Sequence, residues 1–257
     1  MSHRCGRRLP GLTAHGWLCL LFLVCLVQAV HAQPDKVLRT AYVEFPPYTM
    51  MNEAGEPDGR FIELARTVAN KAGYRLEFQM LPIGRTYLYL KNGRVDLWLG
   101  VAGVPMLEGR VLESRATPIR ISLSTWHLPE RLPVRRLEDL RGHIVILITG
   151  YTYGGLLDEL AAENSGVVTT FTSTHTSALK MLTRGRGHYL LDYRDPVEDA
   201  MQRNRFPRLE SEVLKRRRGA FVFSRQHPQA EQRQQDFDNA FFELQAEGTI
   251  DVPPQSE

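Results

Sequence analysis

Two short segments carry residue types suited to holding a small charged molecule, and a third is a run of charge. Gly150-Tyr151-Thr152 follows an apolar run and precedes a helical pattern. Free backbone N–H groups at a helix start can hold a carboxylate. Thr152 would add its hydroxyl and Tyr151 a wall, although the same residues also suit an ordinary strand-to-helix turn capped by Thr152. Arg85 follows Pro82-Ile83-Gly84 at the start of another helix. A cation there opposes the helix dipole, which points to an anion held nearby or to a solvated surface arginine. Lys215-Arg216-Arg217-Arg218 is the sharpest charge run. It lacks interleaved aromatics and reads as a solvated connection.

Catalytic patterns are missing from the sequence. There is no H-E-x-x-H, no Gly-x-Ser-x-Gly and no Walker-type phosphate loop. His127, His143, His175, His188 and His227 show no metal-ligand spacing. No catalytic residue, metal or cofactor is expected.

The elements that must position these residues begin at Val37. An apolar strand, Val37 to Val43, breaks at Pro46-Pro47. A helix follows with Phe61, Leu64, Ala65, Val68 and Ala72 on one side, stopped by Gly73. Leu76, Phe78 and Met80 alternate in a strand, Thr86 to Asn92 forms a helix, and Val95 to Leu99 is a compact apolar strand. Apolar strands between amphipathic helices imply a parallel sheet. Ligands sit beyond the carboxyl ends of such strands. Those ends are Glu44 to Tyr48, Pro82 to Arg85 and Gly100 to Gly103, so a small-molecule crevice is expected along them.

The second half repeats this pattern. Ile119 to Leu128 reads as a strand and a first passage between lobes, around Ser124 to His127. Strands over His143 to Ile148, Val167 to Phe171 and His188 to Asp192 alternate with helices over Tyr153 to Asn164, from Ser173 or Thr174 to Leu182, and from Pro196 to Arg205. Leu90-Lys91-Asn92-Gly93-Arg94 and Leu182-Thr183-Arg184-Gly185-Arg186 occupy equivalent positions ahead of a strand. Gly219 to Ser224 and a long helix from Pro228 to Ala246 return the chain to the first lobe.

The N-terminus reads as an export leader. Arg4, Arg7 and Arg8 precede the apolar run Trp17 to Val30, and Val30-His31-Ala32 suits signal-peptidase cleavage before Gln33. Cys5, Cys19 and Cys25 all fall in the leader, which excludes thiol chemistry and disulfides from the mature chain. Lys plus Arg number 32 against 29 acids; removing the three leader arginines leaves the charges balanced, so nucleic acid loses its electrostatic support as a partner.

Phe45-Pro46-Pro47-Tyr48, Gly59 with Leu64-Ala65, Leu90-x-x-Gly93-Arg94-Val95-Asp96, Glu138-Asp139-Leu140-Arg141-Gly142, Gly150 and Gly248-Thr249-Ile250 stand in a telling order. Across nearly all of the mature chain they resemble bacterial extracellular solute-binding protein family 3, the periplasmic receptors of polar amino-acid ABC transporters. The resemblance implies an α/β, two-lobed periplasmic-binding-protein-like (type II) fold. Each lobe would be a mainly parallel sheet flanked by helices, with two hinge strands between them. The implied limits are a signal peptide over 1–32, a first lobe over 33–125 plus 220–250, a second over 126–219 and a tail over 251–257. It further implies a periplasmic monomer that captures an amino acid or related carboxylated compound and delivers it to a membrane permease.

The resemblance also suggests contacts. Phe45 stands where family members stack an aromatic ring on the ligand, and equally where a core phenylalanine would sit. Tyr48 is read as lobe packing. Arg110 resembles the carboxylate clamp, or forms a surface salt bridge with Glu108 or Glu113. Pro105-Met106-Leu107-Glu108-Gly109 departs from the family pattern before that arginine, which displaces the clamp and removes the need for an α-amino acid ligand. Asp192 lies near the position that pairs with a ligand ammonium, with Tyr193 in competition for it. Asp195 reads as a helix cap and Asp96 as structural. Two alternatives remain: a periplasmic dehydratase similar to cyclohexadienyl dehydratase, with Glu44 or Glu108 as acid-base group, and a receptor presenting ligand to a membrane signalling protein.

Overall fold

The computed structural model describes residues 36–253. The expected leader and residues 254–257 of the expected tail lie outside the described residues. The chain runs through β1 (Lys36–Tyr42), a short hairpin of β2 (Met50–Met51) and β3 (Pro57–Asp58), α1 (Arg60–Lys71), β4 (Tyr74–Met80), α2 (Ile83–Lys91), β5 (Leu97–Val101) and β6 (Val111–Glu113). It continues through β7 (Arg120–His127), β8 (Ile144–Ile148), α3 (Leu156–Ala161), β9 (Val168–Thr172), α4 (His175–Thr183), β10 (Tyr189–Tyr193) and α5 (Arg194–Arg203). It ends with β11 (Glu210–Ser224) and α6 (Ala230–Ala246).

The apolar patterning explains these elements. Helix α1 buries Phe61, Ile62, Ala65, Val68 and Ala69, and α6 lays Phe237 and Phe241 against Phe221 and Phe223 of β11. Each buried Phe, Ile or Val side chain among these contributes about 1.5–3 kcal/mol on leaving water. Strand β10 is buried along its whole length, as a central strand covered on both faces must be.

Strands hydrogen-bond in the order β4-β1-β5-β11-β7-β10-β8-β9, with β6 also on β11. β1 and β5 are parallel, as are β8 with β10 and β8 with β9. The long strand β11 joins the two groups: Gly219 to Phe223 pair with β5, whereas Glu210 to Arg218 pair with β7. Two lobes thus share one antiparallel ribbon, with Arg120 opposite Arg218 where the partners change.

Several expectations are displaced. Ser124 to Trp126 pair with β10 as well as β11. They therefore lie inside the second lobe's sheet, and the change of partner falls at Arg120 and Arg218–Gly219. The Lys215–Arg218 run is ladder rather than connection, because β11 continues through it against β7. The helix expected from Tyr153 to Asn164 shrinks to α3, since Gly154 and Gly155 both have positive φ and break the first turn. Asp195 is not a helix cap, because Tyr193 takes that place before α5.

Candidate functional site

A cavity lies between the lobes. The first lobe contributes Phe45 and Tyr48 after β1, Tyr87 from α2, and Trp98, Gly100 and Val101 from β5. The second contributes Tyr151, Thr152, Tyr153, Gly154 and Tyr193, and the shared strand β11 contributes Arg217.

Its walls are aromatic. The Phe45 ring meets Tyr193 edge-on at 5.2 Å and Tyr151 at 6.4 Å. Tyr87 and Trp98 cross at 5.4 Å. Trp98 can lie across its own strand because residue 100 is glycine; a Cβ there would collide with the indole. The Trp98 Nε1–H is buried and has no hydrogen-bond partner among the described residues. A buried donor left unpaired costs about 1–3 kcal/mol.

Among the described residues, Arg217 is the one charged residue in the lining. Its Nη2 donates to the carbonyls of Ala102 at 2.6 Å and Gly103 at 3.2 Å, and this holds the guanidinium in place. Nη1 packs over Gly154, where a Cβ would strike it. No carboxylate pairs with Arg217 among the described residues, and the hydrogens on Nε and Nη1 remain for another acceptor. Burial raises the Tyr193, Tyr151 and Tyr87 phenols; Arg217 works against this at Tyr193 and Tyr87, and Asp192 adds to it at Tyr151. These phenols remain protonated near neutral pH.

Of the residues expected from sequence, Phe45, Tyr151 and Thr152 line the cavity. Thr152 does not open a long helix; α3 begins only at Leu156. It instead lines the cavity together with Tyr87 of the first lobe, whose phenol it helps to lower. Arg85 and Arg110 are exposed and outside the lining. Arg85 sits within the first turn of α2, which starts earlier than the pattern suggested. Arg110 is carried off by the 3-10 turn Pro105–Leu107 and Gly109, and Glu113 pairs with Arg218 instead. Asp192 is fully buried, but its Oδ2 lies 2.7 Å from His175 Nδ1 and its Oδ1 accepts from the Tyr193 N–H.

Sequence reasoning missed Arg217 and Trp98. The alternation of a strand through Lys215–Arg218 was the available signal, since period two puts Arg217 and Arg218 on opposite faces. Tyr48 does more than pack: its hydroxyl donates to Asp195 Oδ1 at 3.0 Å, linking the lobes. Nearer the mouth, Tyr151 and Ile83 separate this cavity from a wider opening lined by Glu44, His175, Asp199 and Arg203.

Residues 38–110 match the model of the bacterial extracellular solute-binding proteins, family 3. The match spans Phe45, Arg85 and Arg110 and stops short of Tyr151, Thr152, Asp192 and Arg217. The amino-acid-binding protein AabA of Dichelobacter nodosus is 24% identical over 224 residues, 82% of this chain and 83% of that protein. An ancestral arginine-binding protein, solved with arginine bound, has a TM-score of 0.68 at 19% identity and covers 84% of this chain and 95% of its own. A histidine kinase sensor domain similar to periplasmic binding proteins gives 0.70 at 21% identity, covering 82% of this chain and 92% of its own. The fold is accordingly the two-lobed, periplasmic-binding-protein-like one expected from the family 3 likeness.

Proposed function

We propose that this chain is a periplasmic solute-binding protein that captures a small carboxylated solute between its lobes and delivers it to a membrane ABC permease. The observation that carries the reading is Arg217, an arginine without a carboxylate partner among the described residues, held by two carbonyls in an aromatic cavity between the lobes. A carboxylate held there would gain charge-assisted hydrogen bonds in a partly dry site. The solute would draw the lobes together through contacts made only in the closed state. The names of AabA and of the ancestral arginine-binding protein support an amino acid or a compound like it.

In this reading the ligand contacts are Phe45, Tyr151 and Thr152 with Arg217 and Trp98. The lobes divide near residues 119 and 218, the protein acts as a monomer, and an N-terminal leader directs its export. We read the protein as a binder rather than an enzyme, in keeping with the names of its relatives; among the described residues the cavity lining holds no carboxylic acid to transfer a proton. A thermal-shift screen of amino acids, polyamines and small organic acids tests the proposal. A rise in Tm with a carboxylated compound, confirmed by calorimetry, is expected; no stabilisation by any of them would overturn it. Conversion of prephenate or arogenate by the purified protein would instead establish the dehydratase alternative.

A further inference from the structure

The ligand class can be narrowed within that reading. We infer that the cavity selects a monocarboxylate with a flat, apolar body and no cationic group, in preference to an α-amino acid.

The argument begins with charge. The lining contains Arg217 and no aspartate or glutamate. Asp192, the nearby acid on β10, is outside it and already engaged by His175 and the Tyr193 N–H. An α-ammonium group bound here would lose its hydration without a counter-ion, and would sit in the same cavity as a fixed guanidinium. Both effects oppose binding. A lone carboxylate meets the opposite situation, because Arg217 keeps donors beyond those given to the Ala102 and Gly103 carbonyls, and Trp98, whose indole N–H is unpaired among the described residues, lines the same cavity.

Shape gives the second half. Phe45, Tyr87, Trp98, Tyr151 and Tyr193 supply broad faces and edges, which suit a planar ring by offset or edge-on contact. The phenol hydroxyls near the ring supply donors but no anionic acceptor. An aryl or arylalkyl carboxylate fits both features: its carboxylate lies toward Arg217 and Trp98, and its ring lies among the aromatic side chains.

Calorimetry on the full chain with benzoate, phenylacetate, 3-phenylpropionate, phenylalanine, arginine and glutamine tests this directly. The expected result is that at least one of the three aryl acids binds tenfold or more tightly than all three amino acids. The methyl ester of that acid should not bind. Arg217→Gln should weaken the acid at least tenfold and Trp98→Phe several-fold, with an unchanged circular dichroism spectrum verifying each variant's fold. Should Arg217→Gln fail to fold, Trp98→Phe and the methyl ester carry the test. Tighter binding of phenylalanine, arginine or glutamine than of every aryl acid would overturn the inference and leave the solute-binding reading intact. If none of the six binds and the wider screen also finds no ligand, both fall; if that screen finds only cationic or zwitterionic ligands, the inference alone falls.

Discussion

The Nδ1 atom of His175 lies 2.7 Å from Oδ2 of Asp192, at the first position of α4 and on the buried strand β10 respectively. Burial opposes protonation of His175, but the Asp192 charge and hydrogen bond outweigh it and raise the imidazole above its ordinary 6.5. The folded protein therefore holds this proton more tightly than the unfolded chain. The pair's contribution to stability is fully present below about pH 6.5 and falls away as pH rises through the folded value. His175→Ala would leave Asp192 buried without its partner. A loss of about 3–5 kcal/mol is expected at pH 6, measured by urea unfolding. The wild-type decline in stability above pH 6.5 should be much reduced in the variant.

Asp96 behaves in the opposite sense. Burial opposes its ionisation, yet hydrogen bonds from Arg39 and then Arg233 hold its carboxyl below the usual 3.8. Its contribution is present above about pH 3.8 and is lost as pH falls through the lower folded value. Asp96→Asn should cost about 3 kcal/mol at pH 7. In acid titrations followed by tryptophan fluorescence, the variant should lose a smaller share of its stability below pH 4 than the parent does.

Tyr48 and Asp195 join the lobes through one hydroxyl, which also reaches the Arg120 carbonyl at 3.3 Å. Burial raises the Tyr48 phenol strongly, with the Asp195 charge adding to it, so the donor persists at all physiological pH values. Tyr48→Phe should cost about 1–2 kcal/mol. A double-mutant cycle with Asp195→Ala should return a coupling near 1 kcal/mol; zero coupling would show the contact to be incidental.

Gly154 has φ 70 and lies under the Arg217 guanidinium. Gly154→Ala forces a side chain into left-handed backbone at a cost of about 1–2 kcal/mol and drives Arg217 from its seat. Affinity for the carboxylate ligand found in the screen should fall at least tenfold, about 1.4 kcal/mol, by calorimetry. Undiminished affinity would count against Arg217 as the anion-holding group.

Arg85 and Arg110 offer the converse control. Both are exposed and away from the cavity. Arg85→Ala and Arg110→Ala should leave affinity within about twofold and stability within about 0.5 kcal/mol. A large loss in the Arg110 variant would restore the clamp implied by family resemblance.

Much of the fold was legible because buried strands and amphipathic helices write their periods directly into the chain. The Leu90–Arg94 and Leu182–Arg186 echo stands ahead of β5 and β10, each helix ending at a glycine with positive φ. The site was only partly legible. Phe45, Tyr151 and Thr152 follow from strand ends, where topology fixes the crevice. Arg217 hid in a run of like charges, since sequence alone does not say that the run is a paired strand. Trp98 looked like one more apolar residue of β5, and only the room left by Gly100 lets its indole lie over the strand at the cavity wall. Arg110 stands outside the lining, beyond a two-glycine, proline-containing loop.

A single backbone, β11, carries Arg217 within two residues of the point where its pairing passes from one sheet to the other. In the proposed reading, a turn of one lobe against the other at Gly219 would re-point the guanidinium, and a solute seated on this side chain would favour one resting angle of the clamshell.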